Sequence, residues 1–300
     1  MYVAEERTGQ RARTGTAARA RAARPAPLPE RVRRWAHRHR WFLAVAGLGA
    51  VLRAVTVAGY RPILWFPDSY TYVVTAMRPR PDLVRPAGYS MFLRLLEPLH
   101  DFGAVAIAQH LLGLATGALV YVTVLRLGGR AWLGALAAAP VLLDAYQIEL
   151  EHLLVSDTLF MFLVASAVCL AVWRPPGQGG AVAIGLLIAA AALTRTVGLA
   201  LVAVLAFFVF RYGSRAVRRT RLLGAFALAA LVPIVAYGGW FYATHHRIGI
   251  VGSNGVFLYA RTMSFADCSI MKPPADLAVL CDRRPPEERP PSQEYIWNPE

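Results

Sequence analysis

Lysine is almost missing from this 300-residue chain: of its 32 basic residues only Lys272 is one, and the rest are arginine. Charged residues are scarce at 17%, against roughly 25% in soluble domains. With 56% hydrophobic residues and a mean hydropathy of +0.42, this excludes an ordinary water-soluble enzyme and a mainly disordered chain. No G-x-G-x-x-G, Walker A, G-x-S-x-G or H-E-x-x-H pattern occurs, so a nucleotide cradle, a serine-hydrolase elbow and a zinc-protease helix lack support. The three cysteines form no C-x-x-C and no Cys/His cluster, which leaves a zinc site without support as well.

What the chain does have is long apolar blocks. A hydrocarbon core of about 30 Å takes roughly 20 apolar residues per helix. That ruler gives an all-α polytopic membrane protein with about seven transmembrane helices, at 41–60, 103–125, 131–148, 154–173, 180–194, 196–210 and 222–243. The fifth and sixth are short and meet at Thr194-Arg195-Thr196.

Residues 1–40 carry eleven arginines against three glutamates. They read as a basic tail, mostly disordered, resting on anionic headgroups at the cytoplasmic face. Nucleic acid is not expected as its partner, because charge alone speaks for it. Arg126, Arg130, Arg174 and the run Arg211–Arg221 bring the inner side to nineteen basic residues against twelve outside. This orientation makes 41–243 the transmembrane domain and puts two regions outside the cell membrane: the amphipathic loop 61–102 and the segment 244–300. The loop accommodates two short interfacial helices, near Ser69–Met77 and Gly88–Leu96. In the outer segment a disulfide between Cys268 and Cys281 is plausible chemistry, and Cys169 reads as packing. The run RRPPEERPPSQ argues against compact structure there, and the end at Asn298-Pro299-Glu300 reads as an incomplete C-terminal region.

Several residues have the chemistry of a site. Asp68 suits a helix N-cap and equally a carboxylate that takes a proton from an acceptor hydroxyl. Arg78, Arg80, Arg85 and Arg94 sit on the side where cations are disfavoured, as phosphate ligands would or as headgroup contacts. Among them Arg85 has its backbone fixed by Pro86 and Gly88. Glu149, Glu151, His152 and Asp157 crowd a membrane boundary, used or simply solvated; the i,i+4 spacing places His152 and Ser156 on one helix face. Arg195 is a phosphate candidate or a snorkelling arginine. Arg53, inside the first span, needs a partner that the sequence does not name. His245 and His246 lack a third ligand at useful spacing; no cofactor is expected, and a divalent metal is possible chemistry that the spacing does not support.

In order along the chain, Asp68 after the first span, Arg85-Pro86-Ala87-Gly88-Tyr89, His152-x-x-x-Ser156-Asp157-Thr158-Leu159 and Leu193-Thr194-Arg195 resemble the GT-C superfamily of membrane glycosyltransferases. The similarity is to bacterial relatives of protein O-mannosyltransferases and lipid A aminoarabinose transferases, over roughly 41–243. Asp157 stands where glutamate is commoner, and Ala87 and Ser90 where prolines are. The resemblance implies a polyprenyl-phosphate-sugar donor and a glycan, lipid or protein acceptor. It further implies inverting transfer, Asp68 as general base, and substrate contacts from Arg85, Tyr89, His152, Asp157 and Arg195. Two readings compete: a transporter or flippase for a lipid-linked or anionic solute, and a non-catalytic relative of the same fold.

Overall fold

The computed structural model describes residues 28–173, 177–212 and 216–297. It divides into two units, Met1–Arg40 and Trp41–Glu300. In the first, the described part is a helix, α1 (Leu28–Arg38), in which Glu30 and Arg34 pair at 2.9 Å across one turn. Residues 1–27 of the expected tail lie outside the described residues.

The rest of the described chain is helical, without a β-strand among the described residues. In order come α2 (Arg40–Gly59), α3 (Pro67–Met77), α4 (Gly88–Leu96), α5 (Phe102–Arg126), α6 (Ala131–Leu143), α7 (Ala145–His152), α8 (Asp157–Trp173), α9 (Gln178–Thr194), α10 (Gly198–Tyr212), α11 (Ala216–His245) and α12 (Asn254–Met263). Three of them, α2, α5 and α11, contain stretches long and apolar enough to cross a membrane, and α6 with α7 makes a fourth if that bent pair is one span. α8, α9 and α10 are apolar but shorter. At 1.5 Å per residue the 17 residues of α8 or α9 cover only about 25 Å.

One expected span is broken and another shortened where backbone groups find other partners. The stretch 131–148 is not one helix. It stops at Asp144, whose backbone is extended and whose carboxylate caps α7 by accepting the Gln147 N–H at 3.0 Å. The two helices meet at 52°. An aspartate that satisfies the first free N–H groups of a new helix favours this restart. The stretch 154–173 begins late, at Asp157. Leu64 donates its N–H to the His152 carbonyl at 3.0 Å and accepts that of Leu154 at 2.9 Å, an isolated parallel bridge. These are backbone groups a continuous helix would have used. His152 and Ser156 therefore do not share a helix face.

Packing follows small residues, as expected where lipid removes the hydrophobic drive between helices. α9 lies against α8, α10 and α11 over Ala167, Ile184, Ile188 and Phe226. Val55, Leu136, Phe207 and Val235 remain exposed on α2, α6, α10 and α11, the chemistry of lipid-facing surfaces. α3 and α4 pack through Tyr72 and Tyr89 on Val105, Ala106 and Leu154. Gly88, opening α4, lies so close to the Leu193 carbonyl that any β-carbon would collide with it. That contact brings the loop carrying Arg85 to the end of α9.

Candidate functional site at the outer loop

Asp68 does not cap α3. Pro67 occupies the first helical position and Phe66 the cap. The capping work falls to Ser69, whose Oγ accepts the Phe66 N–H at 2.9 Å and donates to the Leu154 carbonyl at 2.7 Å. Asp68, free of that duty in the first turn, pairs with Arg85 at 2.7 Å. Arg85 is in turn well placed. The Asp82 Oδ1 accepts the N–H groups of Val84 and Arg85 at 2.7 and 2.9 Å. The end of α11 and the chain after it hold the same turn: His245 Nε2 donates to the Pro81 carbonyl, Tyr237 Oη accepts from the Ala87 N–H, and the Gly252 N–H donates to the Leu83 carbonyl. The Arg85 Nε is buried with no hydrogen-bond partner among the described residues. Arg94 is spent locally, donating to the Ala76 carbonyl at 2.9 Å.

A second carboxylate–guanidinium pair joins Asp157 to Arg195, both about one third exposed. Tyr72 stands within electrostatic reach of Asp68, Arg85 and Arg195, and its hydroxyl donates to the Ser156 Oγ at 3.0 Å. Burial pushes the Tyr72 hydroxyl above its ordinary pKa, partly offset by that hydrogen bond. Tyr89 is pushed up further by burial, then by Tyr72 and Asp157, and donates to Gln109 Oε1 at 2.6 Å. Both phenols stay protonated donors at neutral pH, so neither is a base there.

Tyr89 and His152, expected at the substrate surface, are wholly buried. Their side chains bond to neighbouring groups instead of opening to the surface. The His152 Nε2 donates to the Tyr60 carbonyl at 2.6 Å, and its Nδ1 lies 3.1 Å from His110 Nε2. His110 continues to Glu151 at 2.9 Å, and Glu151 takes both Nε and Nη2 of Arg53 at 2.6 Å. Glu151 is thus the partner Arg53 required. Any side chain on Gly113 would occupy the place of the Glu151 carboxylate. Gln109, from the same helix, donates to the Glu151 and Leu153 carbonyls. Sequence reasoning missed His110 and Gln109. Their signal was a polar pair inside an otherwise apolar span.

A cavity of about 870 Å³ is lined by Asp68 and Arg85 together with Phe257, Arg261, Gln293 and Ile296. The segment after α11 is better organised than its prolines suggested. The structure joins Cys268 to Cys281, with Cα atoms 6.0 Å apart, and Arg289 donates to the carbonyls of Met263 and Ala266. No group of three or more potential metal ligands occurs among the described residues.

Residues 98–248 match the family model of dolichyl-phosphate-mannose-protein mannosyltransferases. The match takes in His152, Asp157 and Arg195 and begins after Asp68, Arg85 and Tyr89. No curated protein and no solved structure matches the chain.

Proposed function

The chain belongs to the dolichyl-phosphate-mannose-protein mannosyltransferase family, membrane glycosyltransferases that draw on polyprenyl-phosphate sugar donors, and from that premise we propose that it transfers a sugar, with inversion, to an acceptor hydroxyl at the outer membrane surface. The carrying observation is the contact of a carboxylate and a phosphate-type ligand, Asp68 and Arg85, on one wall of an open cavity.

In this reading the donor phosphate takes Arg85 from Asp68 and satisfies the buried Nε. A buried donor left unpaired costs about 1–3 kcal/mol, so that exchange favours binding. Arg195 supplies a second guanidinium, steered by Asp157. The freed Asp68 accepts the proton of the acceptor hydroxyl as its oxygen attacks the anomeric carbon. The bond from that carbon to the phosphate oxygen breaks on the opposite face, and the electron pair leaves with polyprenyl phosphate. The two arginines stabilise the charge that develops there. Tyr72, Tyr89 and His152 position these groups without touching substrate. The reading uses no cofactor. The acceptor is a glycan, lipid or protein hydroxyl.

Transport is the second reading, favoured by the bent α6–α7 pair and the buried Arg53, Glu151, His110 and His152. Those groups bond one another and the backbone, however, which spends them on holding the fold. The deciding experiment is sugar transfer from a panel of polyprenyl-phosphate sugars in membranes bearing the protein, beside Asp68→Asn at matched expression. Loss of a general base predicts a fall of about 100-fold or more. Transfer that survives the change would remove Asp68 from the role and leave the family chemistry standing.

A further inference from the structure

An acceptor hydroxyl that gives its proton to Asp68 lies in the cavity that this carboxylate lines, so the other residues of that lining meet the rest of the acceptor. This step rests on the reaction proposed above. To that lining α12 and the chain beyond it contribute Phe257, Arg261, Gln293 and Ile296. Most charges around the cavity are already committed. Arg85 is paired with Asp68, and Asp82 holds two backbone N–H groups. The Arg261 guanidinium makes no ion pair or hydrogen bond among the described residues. Its place in the last turn of α12 suits any cation, but that accounts for the charge and not for its facing the cavity.

The helix that carries Arg261 is held in place. Tyr259 Oη donates to the Leu280 carbonyl at 2.8 Å, beside the Cys268–Cys281 bond. Arg289 Nη1 binds the carbonyls of Met263 and Ala266 at 2.7 and 2.8 Å, and Ala260 and Met263 are buried. Arg261 is therefore presented from an anchored helix. Among the described residues it is an uncommitted cation in the cavity that the base lines.

We propose that Arg261 selects the acceptor by pairing with a negatively charged group close to the hydroxyl that receives the sugar, while Phe257 and Ile296 contact the apolar part in between. A donor phosphate would offer the same anionic oxygens, and the test separates the two sources.

The full chain in proteoliposomes is given labelled polyprenyl-phosphate mannose and two threonine peptides that differ only in Asp or Asn two residues from the threonine. The expected result is a kcat/KM about three- to tenfold higher for the Asp peptide, in the range of a partly solvated ion pair. Arg261→Gln brings the ratio to about one by raising KM for the Asp peptide, and Arg261→Lys keeps part of the preference. Equal use of both peptides by the native chain overturns the inference, as does a preference that persists in Arg261→Gln. A rise in donor KM shared by both peptides overturns it too and assigns Arg261 to the donor phosphate. Transfer to neither peptide from any sugar of the donor panel is a different result: it removes the peptide-directed reaction, and the selection of a peptide acceptor with it.

Discussion

Arg53 lies in a membrane helix with 2% of its surface exposed, and Glu151 with none. Moving either charge alone out of water is costly, and their attraction repays it only while both are present. Three further bonds reach Arg53 from the backbone: the carbonyls of Gly49, Val141 and Leu142 accept from its guanidinium. Glu151→Gln should therefore cost about 3–5 kcal/mol, because a buried guanidinium is left uncompensated. Arg53→Met with Glu151→Leu should recover most of that loss, since replacing both partners by apolar groups removes the desolvation cost as well. Unfolding of the purified protein in detergent would measure both. A double variant as unstable as Glu151→Gln would show that the pair does more than neutralise itself. The same logic explains what the sequence could not reveal here. An arginine in an apolar span announces that it needs a partner, but its partner stands 98 residues away. Glu149, Glu151, His152 and Asp157 looked like one boundary cluster. They separate because α7 turns Glu149 to solvent and Glu151 inward, and because the chain leaves the helix before Asp157.

Among the elements, those with local punctuation were legible. Pro67 and Gly88 mark the starts of α3 and α4, and both helices lie within two residues of where the sequence puts them. A break between 148 and 154 was legible, but its extension to Asp157 was not, since Leu64, which precedes α3, holds the chain there. The segment after α11 was misjudged for a related reason. Its prolines forbid long helices, but hydrogen bonds between side chain and backbone do not need helices. One of its ties depends on acid. Asp282 is held well below the usual carboxylate range, first by the hydrogen bond from Arg284 and then by Tyr295. A carboxylate whose pKa is lower folded than unfolded contributes stability above its unfolded value and loses it as the pH falls toward the folded one. Hydrogen exchange of residues 254–297, corrected for intrinsic rates, should thus show protection that is constant from neutral pH to about pH 4 and falls below that. Asp282→Asn should already exchange faster at pH 6 and show a smaller acid step, the remainder coming from Asp267, which its bonds from Ser269 also hold low. An identical acid step in both proteins would place the loss elsewhere.

For the whole molecule, the shared cavity constrains how the chain crosses the membrane. The loop after α2 and the segment after α11 both line it, so both lie on one side and an even number of crossings separates them. Counting α5, the α6–α7 pair and α11 alone gives an odd number, which the cavity does not permit. Counting α5, α6–α7, α8, α9, α10 and α11 gives six, and with α2 seven in all. The short helices α8, α9 and α10 then cross despite covering less than a full hydrocarbon core, which local thinning of the bilayer accommodates at modest cost. A three-crossing arrangement of α2, α5 and α11 also satisfies parity, and α9 distinguishes them. If α9 crosses, its two ends face opposite sides. Gly177 precedes it and Val197, which is exposed, follows it. In a Cys169→Ala background, with Cys268 and Cys281 bonded, a cysteine at Val197 should react with a membrane-impermeant maleimide in intact cells, and one at Gly177 only after permeabilisation. That result would put Arg195, two residues before Val197, on the same face as Asp68 and Arg85, as shared handling of one phosphate requires. Labelling of both positions from the same side would show that α9 does not cross and would leave the three-crossing arrangement.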